Sequence, residues 1–293
     1  MFMGNRKCTV VLIAAASALA LSSVALPSAT ANVVLPTLPS GLLVNFESAN
    51  YNASTGVWTD TSGNNNNASV ANAANYNQLP SNGTPTLVTG ATPNGSPAVE
   101  FTFSATAPGT FGQSLGLTNA LSDTGGFTVF AYLLPSSTMS TVNGGFVGGQ
   151  SGALEYRLTS AFHQDLLSEN YLDLGMSSTA LSDTSWNSIN VTVGSAGGYF
   201  RLNGVADGNT TAASTFNPIQ TIGDGNVNGS EYFAGEIAGL QIYSGELTDT
   251  QRTTVENYFT DLYVNAIPEP ATLGLMGVMG VCLLLVGRKR KQA

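Results

Sequence analysis

Short apolar segments separated by turn residues are the feature that most constrains the fold of this chain. Ten such segments lie between residues 41 and 243, rich in β-branched and aromatic residues and bounded by glycine, asparagine, serine or threonine. This pattern is typical of strands. The predicted strands are 41–47, 98–103, 127–134, 145–148, 154–158, 170–175, 188–194, 198–202, 205–207 and 236–243.

The region from 188 to 207 is predicted to be a three-strand meander. Asn203 and Gly204 form the pair that a two-residue type I′ turn needs, because both central residues of that turn have positive φ. A longer glycine-containing loop, 195–198, joins the first two strands. These connections predict antiparallel neighbours.

A single helix is predicted after the last strand. Thr248 and Gln251 form a capping box, and Val255, Phe259 and Leu262 recur on one helical face. Residues 41–264 are therefore predicted to be one all-β domain, a two-sheet antiparallel β-sandwich with one short C-terminal helix. Its length favours a jelly roll over an immunoglobulin domain of about 100 residues.

The N-terminal residues 1–31 are typical of a secretory signal peptide. Arg6 and Lys7 precede the apolar segment 10–21, and a small-x-small pattern ends at Ala31, where we expect signal peptidase to cleave. An uncleaved anchor helix is the alternative, which the short apolar segment disfavours. Residues 32–40 are then a linker.

The C-terminal residues 265–293 have the features of a membrane anchor. The uncharged apolar segment 271–287 is followed directly by four basic residues, 288–291. At about 1.5 Å per residue this segment spans about 25 Å, the short end of a transmembrane helix. A basic tail stays cytoplasmic, which places the preceding domain outside the membrane.

The motif Pro268, Glu269, Pro270 stands immediately before this apolar segment. Together with the helix and the basic tail, it resembles the PEP-CTERM sorting signal of Gram-negative bacteria. The resemblance implies recognition by an exosortase, with the helix retained only transiently. It also implies secretion across the inner membrane to the cell surface or an extracellular matrix rich in exopolysaccharide.

The charge distribution excludes nucleic acid as a partner. Residues 32–267 contain three arginines, no lysine and seventeen acidic residues, so their net charge is 3 − 17 = −14. A phosphate-binding surface needs a basic patch, and these residues cannot form one. Both cysteines, Cys8 and Cys282, lie in the end segments. The domain between these segments is therefore predicted to contain no disulfide.

The segment that begins at Trp58, WTDTSGNNNNA, resembles the opening of bacterial laminin-G-like, concanavalin-A-like domains. Further pieces of the resemblance follow in order at 99–101, 126–130, 186–187 and 233–249. Together they cover nearly all of the predicted domain. The resemblance implies a lectin-type jelly roll of two sheets.

Members of that superfamily often bind calcium at a sheet rim, and one loop here offers suitable ligands. Asp224, Asn226 and Asn228 match the first half of a D-x-N-x-N-G calcium loop, whose oxygen atoms suit the ion. Gly235 stands where a bidentate glutamate should close the loop, so a plain glycine-rich loop is the alternative. Calcium is the only cofactor that the sequence suggests.

A second group of oxygen ligands lies in the turn after Trp58. Asp60 and Asn64 are predicted to hydrogen-bond their own backbone as Asx-turns rather than to bind a metal, with Trp58 in the core. The asparagine run 64–67 is predicted to be a solvated turn.

No catalytic set is predicted. His163 is the only histidine and is predicted to lie in a surface loop, and no G-x-S-x-G motif surrounds a nucleophile. Retaining glycoside hydrolases of this fold carry their acids on one strand as an E-x-D-x-E or E-x-D-x-x-E run, and neither run is present here. Glu169 and Asp173 form the nearest acidic pair and are predicted to face solvent.

Carbohydrate binding is the positive hypothesis that remains. Aromatic platforms and amide groups hold sugars, and Tyr51, Tyr76, Tyr156 and Tyr171 are the candidate platforms, with ordinary packing as the alternative. We expect an exported, non-catalytic lectin-like protein that binds exopolysaccharide. The alternatives are a structural matrix protein without glycan affinity and a glycoside hydrolase on the same fold.

Overall fold

The computed structural model describes residues 35–76, 83–104, 111–141, 143–149, 155–167, 173–213, 216, 218–225 and 231–265. The predicted signal peptide, with its cleavage site at Ala31, lies outside these ranges. So do the sorting motif 268–270, the apolar segment 271–287 and the basic tail. Among the described residues, no helix has the length and hydrophobicity needed to cross a membrane.

Strands form most of the regular structure in these ranges. They are β1 (Leu42–Asn52), β2 (Val57–Asp60), β3 (Ala68–Ser69), β4 (Thr86–Val88), β5 (Ala98–Phe101), β6 (Phe103–Ser104), β7 (Phe111–Gly112), β8 (Leu115–Leu121), β9 (Gly126–Pro135), β10 (Gly144–Gly148), β11 (Glu155–Leu158), β12 (His163–Leu167), β13 (Asp173–Ala180), β14 (Asn187–Gly194), β15 (Gly197–Leu202), β16 (Val205–Thr210), β17 (Ile219–Ile222) and β18 (Gly235–Ser244). The helices are α1 (Val70–Ala73) and α2 (Asp249–Tyr263), with two 3₁₀ turns at Ala74–Tyr76 and Ser137–Thr141.

The strands form an antiparallel sandwich that nearly closes into a barrel. One layer has the order β13-β12-β11-β10-β17-β8, and the other has the order β1-β18-β9-β14-β15-β16, extended beside β18 by β5 and β4. The short strands β3 and β2 continue the hydrogen bonding from β8 to β1, so the chain turns the corner between the layers there. At the opposite side, the Thr211 amide donates to the Leu174 carbonyl at 2.6 Å, just beyond β16 and within β13.

The main hydrophobic core lies between the two layers. Trp58, Phe46, Phe101 and Phe200 are among its fully buried side chains. Strand β9 shows how alternate residues of one strand fill this core. Its inward-pointing side chains are Phe127, Val129, Ala131 and Leu133. This core confirms the predicted all-β sandwich.

Helix α2 covers the outer face of the β1–β18–β9 layer and creates a second core. Phe130 and Tyr132 of β9 point outward into it and meet Phe259 and Tyr263 of the helix. Gly239 lets the helix approach the sheet, since a Cβ there would lie 2.8 Å from the Tyr263 ring. β9 is therefore apolar on both faces: one face lies in the main core and the other packs against α2.

The predicted hairpins and helix are confirmed with one change. Asn203 and Gly204 have φ values of 50° and 80°, as a type I′ turn requires. The capping box of Thr248 and Gln251 is present at the start of α2. The loop before β15 is shorter than predicted, because Gly194 pairs with Gly197 and leaves two residues between them.

Candidate functional site

The turn after Trp58 is a structural element, as predicted. The buried carboxylate of Asp60 accepts hydrogen bonds from the amides of Asn45, Ser62 and Asn66 at 2.9–3.0 Å and from the Ser62 hydroxyl. Asn64 differs from its prediction: its side-chain amide does not cap its own turn but donates to the carbonyls of residues 42 and 43. The prediction of a solvated run was wrong for Asn66, which is buried.

The tyrosines expected to form a sugar platform do not do so where the structure describes them. Tyr51 and Tyr156 are buried in the core, so the prediction was wrong for both. Tyr76 is half-buried and donates its hydroxyl to the Leu117 carbonyl at 2.9 Å. Tyr171 lies outside the described residues.

His163 also differs from its predicted setting. It begins strand β12 instead of lying in a surface loop, and its Nδ1 is 3.0 Å from the Ser177 carbonyl oxygen. Of the predicted solvent-facing acidic pair, Asp173 is exposed at the start of β13, and Glu169 lies outside the described residues.

The calcium prediction stays untested. Asp224 is fully buried, and its carbonyl accepts a hydrogen bond from the Thr221 hydroxyl at 3.0 Å. Asn226 and Asn228 lie outside the described residues. Within the described part of the chain, no group of three or more His, Cys, Asp or Glu side chains is arranged to hold a metal ion.

A buried acid lies beside Asp224 and changes the electrostatics of this loop. Glu155 is 3% exposed, and its Oε1 has no hydrogen-bond partner among the described residues. Burial first, and then a hydrogen bond and the charge of Glu231, raise the pKa of Glu155 far above its ordinary value. Arg157 partly opposes this shift and binds both Asp165 and Glu231.

The clearest ligand-sized aromatic cleft lies where α2 meets the sheet, and we call it the indole pocket. It has a volume of about 450 Å³, within the range of about 300–1,000 Å³ typical of small-molecule sites. It is lined by Tyr132, Trp186, Ser188, Asn203, Gly204, Glu256, Asn257, Thr260 and Val264. Aromatic and polar groups thus face one another across a cleft.

Trp186 provides the aromatic surface of the indole pocket. One face of the half-buried indole stacks on Tyr132, with centroids 5.2 Å apart, and Tyr132 stacks in turn on Tyr263 at 5.4 Å. The indole Nε1–H donates to the Ala91 carbonyl at 3.0 Å. Tyr132 is only 5% exposed, so the indole is the main ring that a ligand can contact.

Ser188, one of the residues that line the indole pocket, has a buried side-chain hydroxyl. The Oγ atom of Ser188 is buried and forms no hydrogen bond with the described residues. The backbone of Ser188 is held on both sides by Asn203, whose side-chain oxygen accepts from the Ser188 amide at 2.9 Å and whose amide donates to the Ser188 carbonyl at 2.7 Å. A buried hydroxyl left without a partner beside a cleft is suited to hydrogen-bond a water molecule or a ligand hydroxyl.

The charged residue in the lining of the indole pocket, Glu256, is neutralised by an arginine that is not part of the lining. Glu256 forms a two-point ion pair with Arg201, at 2.7 and 3.1 Å. The hydrogen bond with Glu256 raises the pKa of Arg201, against the effect of burial. Asn257 and Thr260 are exposed and add uncharged donors and acceptors.

A second cleft, which we call the acidic pocket, has a volume of about 400 Å³. Its lining includes Glu100 of β5 and Glu236 of β18, which face each other directly across the two strands, and the exposed Asp183. The Thr86 hydroxyl donates to Glu100 at 2.9 Å. Burial and then the charge of Glu100 raise the pKa of Glu236.

Sequence reasoning missed both pockets. Tyr132 is indistinguishable from the core residues of its strand, and Glu100 and Glu236 are far apart in the chain. The only available signal was Trp186, which ends a polar loop and therefore had reason to be near the surface.

The comparisons with known proteins agree with this architecture. The profile of the laminin G family Laminin_G_3, described as Concanavalin A-like lectin/glucanases superfamily, matches residues 108–251. No curated protein matches the chain. The fold is shared by binding domains and by enzymes that act on sugars.

Two solved structures illustrate that breadth. The binding domain of Paraclostridial Mosquitocidal Protein 1 is similar with a TM-score of 0.51 and 14% identity, over 75% of this chain and 52% of that one. The Trypanosoma rangeli sialidase in complex with sialic acid is similar with a TM-score of 0.51 and 12% identity, over 80% of this chain and 37% of that one. The chain thus spans about half of the first protein and less of the second. Together with the observed sandwich, these similarities show that the chain has the concanavalin A-like lectin/glucanase fold.

Proposed function

We propose that this protein is an exported, non-catalytic carbohydrate-binding protein whose glycan site is the indole pocket. The observation that carries the proposal is that the Trp186 ring lines the same cleft as Ser188, whose buried hydroxyl has no hydrogen-bond partner among the described residues. An aromatic ring contacts the apolar face of a sugar, and a nearby hydroxyl bonds to a sugar hydroxyl.

The remaining lining supports a neutral, hydroxyl-rich ligand. Asn203, Asn257 and Thr260 supply uncharged hydrogen-bonding groups, while Glu256 is compensated by Arg201. Trp186 is held in place by Tyr132 and the Ala91 carbonyl, so binding need not immobilise the ring. Preorganisation of this kind reduces the entropic cost of association.

The proposed location comes from the chain ends. The N-terminal segment has the features of a signal peptide, and the motif 268–270 with its apolar helix and basic tail resembles an exosortase sorting signal. The proposal therefore includes signal peptidase and exosortase as partners during export and the cell surface or extracellular matrix as the destination. An exopolysaccharide is then the available glycan.

Glycoside hydrolysis is a second candidate, favoured by one observation. Glu100 and Glu236 lie directly opposite on neighbouring strands, where Cβ atoms are about 4.5–5.5 Å apart. A retaining hydrolase holds its two carboxyl groups about 5–5.5 Å apart. Release of reducing sugar from a polysaccharide by the wild-type protein, and its loss in Glu236→Gln, would replace the binding proposal with this one.

Tryptophan fluorescence tests the binding proposal directly. The chain has two tryptophans, of which Trp58 is fully buried in the core and Trp186 lines the indole pocket. We expect a glycan that is retained in a pull-down to shift the emission of the wild-type protein. The same glycan should leave the emission of Trp186→Phe unchanged.

Two outcomes would contradict the proposal. Retention of no glycan on a broad array, with or without calcium, would favour a structural matrix protein without glycan affinity. An emission change that persists in Trp186→Phe would show that the ligand binds elsewhere.

A further inference from the structure

The indole pocket and the acidic pocket are neighbours on one face of the sheet. Tyr132 and Leu134 of β9 point to the same side two residues apart, and each lines a different pocket. Two residues along a strand correspond to about 7 Å. The loop before β14 also borders both, with Asp183 in the acidic pocket and Trp186 in the indole pocket.

The acidic pocket carries negative charge that no basic residue in its described lining balances. Glu100, Glu236 and Asp183 line it, and none of the other described lining residues is basic. The raised pKa of Glu236 reflects burial and the proximity of Glu100. An anionic ligand group placed there would meet at least one carboxylate of the same sign.

The basic side chains in the rest of the domain are already engaged in ion pairs and do not offset this charge. Only Arg157, Arg201 and Arg252 lie between residues 32 and 267, and each is paired with at least one carboxylate. Four ion pairs with Asp165, Glu231, Glu256 and Asp249 occupy these arginines, and no arginine side chain among them is more than 17% exposed. An anionic sugar therefore has no described basic side chain free to bind it.

We infer that the ligand is an oligosaccharide without anionic groups that extends from the indole pocket into the acidic pocket, where Glu100 and Glu236 exclude acidic sugar units. This inference rests on the proposed function and specifies its substrate class. A sugar on Trp186 occupies the first pocket, and the next units of the chain reach the carboxylates. Carboxylates accept hydrogen bonds from neutral sugar hydroxyls and attract an ammonium group.

Oligosaccharides of different length and charge test the inference. The probes are disaccharides and hexasaccharides of glucose, N-acetylglucosamine, glucosamine and glucuronic acid, titrated into the full chain while the Trp186 emission is followed. We expect the neutral or amino hexasaccharide that binds to do so about tenfold more tightly than its disaccharide. The glucuronic acid hexasaccharide should bind at least about tenfold more weakly than the best neutral one.

Glu236→Gln and Glu100→Gln test the role of the acidic pocket separately from that of the indole pocket. Each should weaken discrimination against the glucuronic acid hexasaccharide, so that the ratio of its Kd to the Kd of the best neutral hexasaccharide falls. Asp173→Asn is the matched control, since it removes one exposed negative charge outside both pockets. Two independent glutamine variants keep the test informative where one of them fails to fold.

The outcomes distinguish this inference from the proposed function. If no probe changes the Trp186 emission and none is retained, the glycan-binding proposal itself fails. If disaccharides and hexasaccharides bind equally, or the glucuronic acid probe binds as tightly as the neutral ones, only the inference is overturned. It is equally overturned if Asp173→Asn relaxes the discrimination as much as Glu236→Gln.

Discussion

The indole of Trp186 lies on the phenol ring of Tyr132, with ring centroids 5.2 Å apart and planes inclined by 12°. Tyr132 belongs to a central strand of the sheet and Trp186 to the loop that precedes β14. The contact therefore holds the half-buried ring of Trp186 against a central strand of the sheet. A site built in this way is preformed, which suits a binding protein whose ligand is flexible.

Ser188→Ala is expected to weaken glycan binding without destabilising the fold. The Ser188 Oγ atom is buried without a partner among the described residues, so its removal leaves no protein group unsatisfied. Loss of one hydrogen bond to the ligand, about 1 kcal/mol, corresponds to about a fivefold rise in Kd. Calorimetric titration with the retained glycan and urea denaturation measure the two effects.

Ser185→Ala provides the matched control for this variant, because Ser185 is exposed on the same loop and does not line the indole pocket. An unchanged Kd for Ser188→Ala would remove this hydroxyl from the proposed site. A large loss of stability would instead assign it a structural role.

Asp60→Ala is expected to destabilise the protein by about 3–5 kcal/mol. The change orphans the buried amides of Asn45 and Asn66, and each unsatisfied buried group costs about 1–3 kcal/mol. Urea denaturation measures the loss against Asp183→Ala, which removes an exposed acid. A rise in the Tm of the wild-type protein on adding calcium, absent in Asp60→Ala, would show instead that Asp60 binds a metal.

Glu155→Gln is expected to flatten the pH dependence of stability. The folded-state pKa of Glu155 is raised from 4.5 to about 10, so between these values the folded state holds a proton that the unfolded state releases. The free energy of unfolding therefore falls as pH rises through this window, by at most about 1.4 kcal/mol per pH unit, and is unaffected by this group below it. Glutamine carries no titrating proton, so the Glu155→Gln variant should lack this fall in the free energy of unfolding.

Urea denaturation at a series of pH values checks the prediction. The wild type should lose stability relative to Glu155→Gln as the pH rises from about 5 to about 9. Asp173→Asn, which removes an exposed acid outside this cluster, is the control variant. Parallel curves for wild type and Glu155→Gln would show that Glu155 is ionised in the folded protein.

Replacement of the motif 268–270 by alanines is expected to change where the protein accumulates. If an exosortase reads this motif, the variant should stay in the inner-membrane fraction, whereas the wild type reaches the surface or the medium. Immunoblots of fractions from a bacterium that has an exosortase measure the distribution. Alanine at Pro36 and Pro39, in the predicted linker, is the control, and identical distributions for wild type and motif variant would argue against a sorting role.

The local parts of the fold were predictable because short-range physics determines them. The Asn203-Gly204 turn needs positive φ at both residues, and the capping box at Thr248 satisfies helix amides three residues away. Strands β2, β3, β4, β7, β8, β12 and β17 were missed. All but β8 have five residues or fewer and owe their conformation to neighbours in the sheet. His163 was misplaced for the same reason, because pairing with β13 makes its segment a strand.

The aromatic residues show where sequence reasoning stops. Tyr51 and Tyr156 were proposed as sugar platforms but are buried, whereas Trp186, which was not proposed, lines the pocket. All belong to segments of mixed polarity, and their exposure depends on which layer or helix covers them. The covering elements come from distant parts of the chain.

The sequence alone determined an all-β sandwich with one capped C-terminal helix and the net charge of −14 of residues 32–267. These properties follow from residue counts and from contacts within a few residues. Only the tertiary structure brought Trp186 onto Tyr132 and Glu100 opposite Glu236, because strand order and the position of α2 determine which distant residues meet. Pairing between strands far apart in sequence is a property of the whole sheet, and no local pattern encodes it.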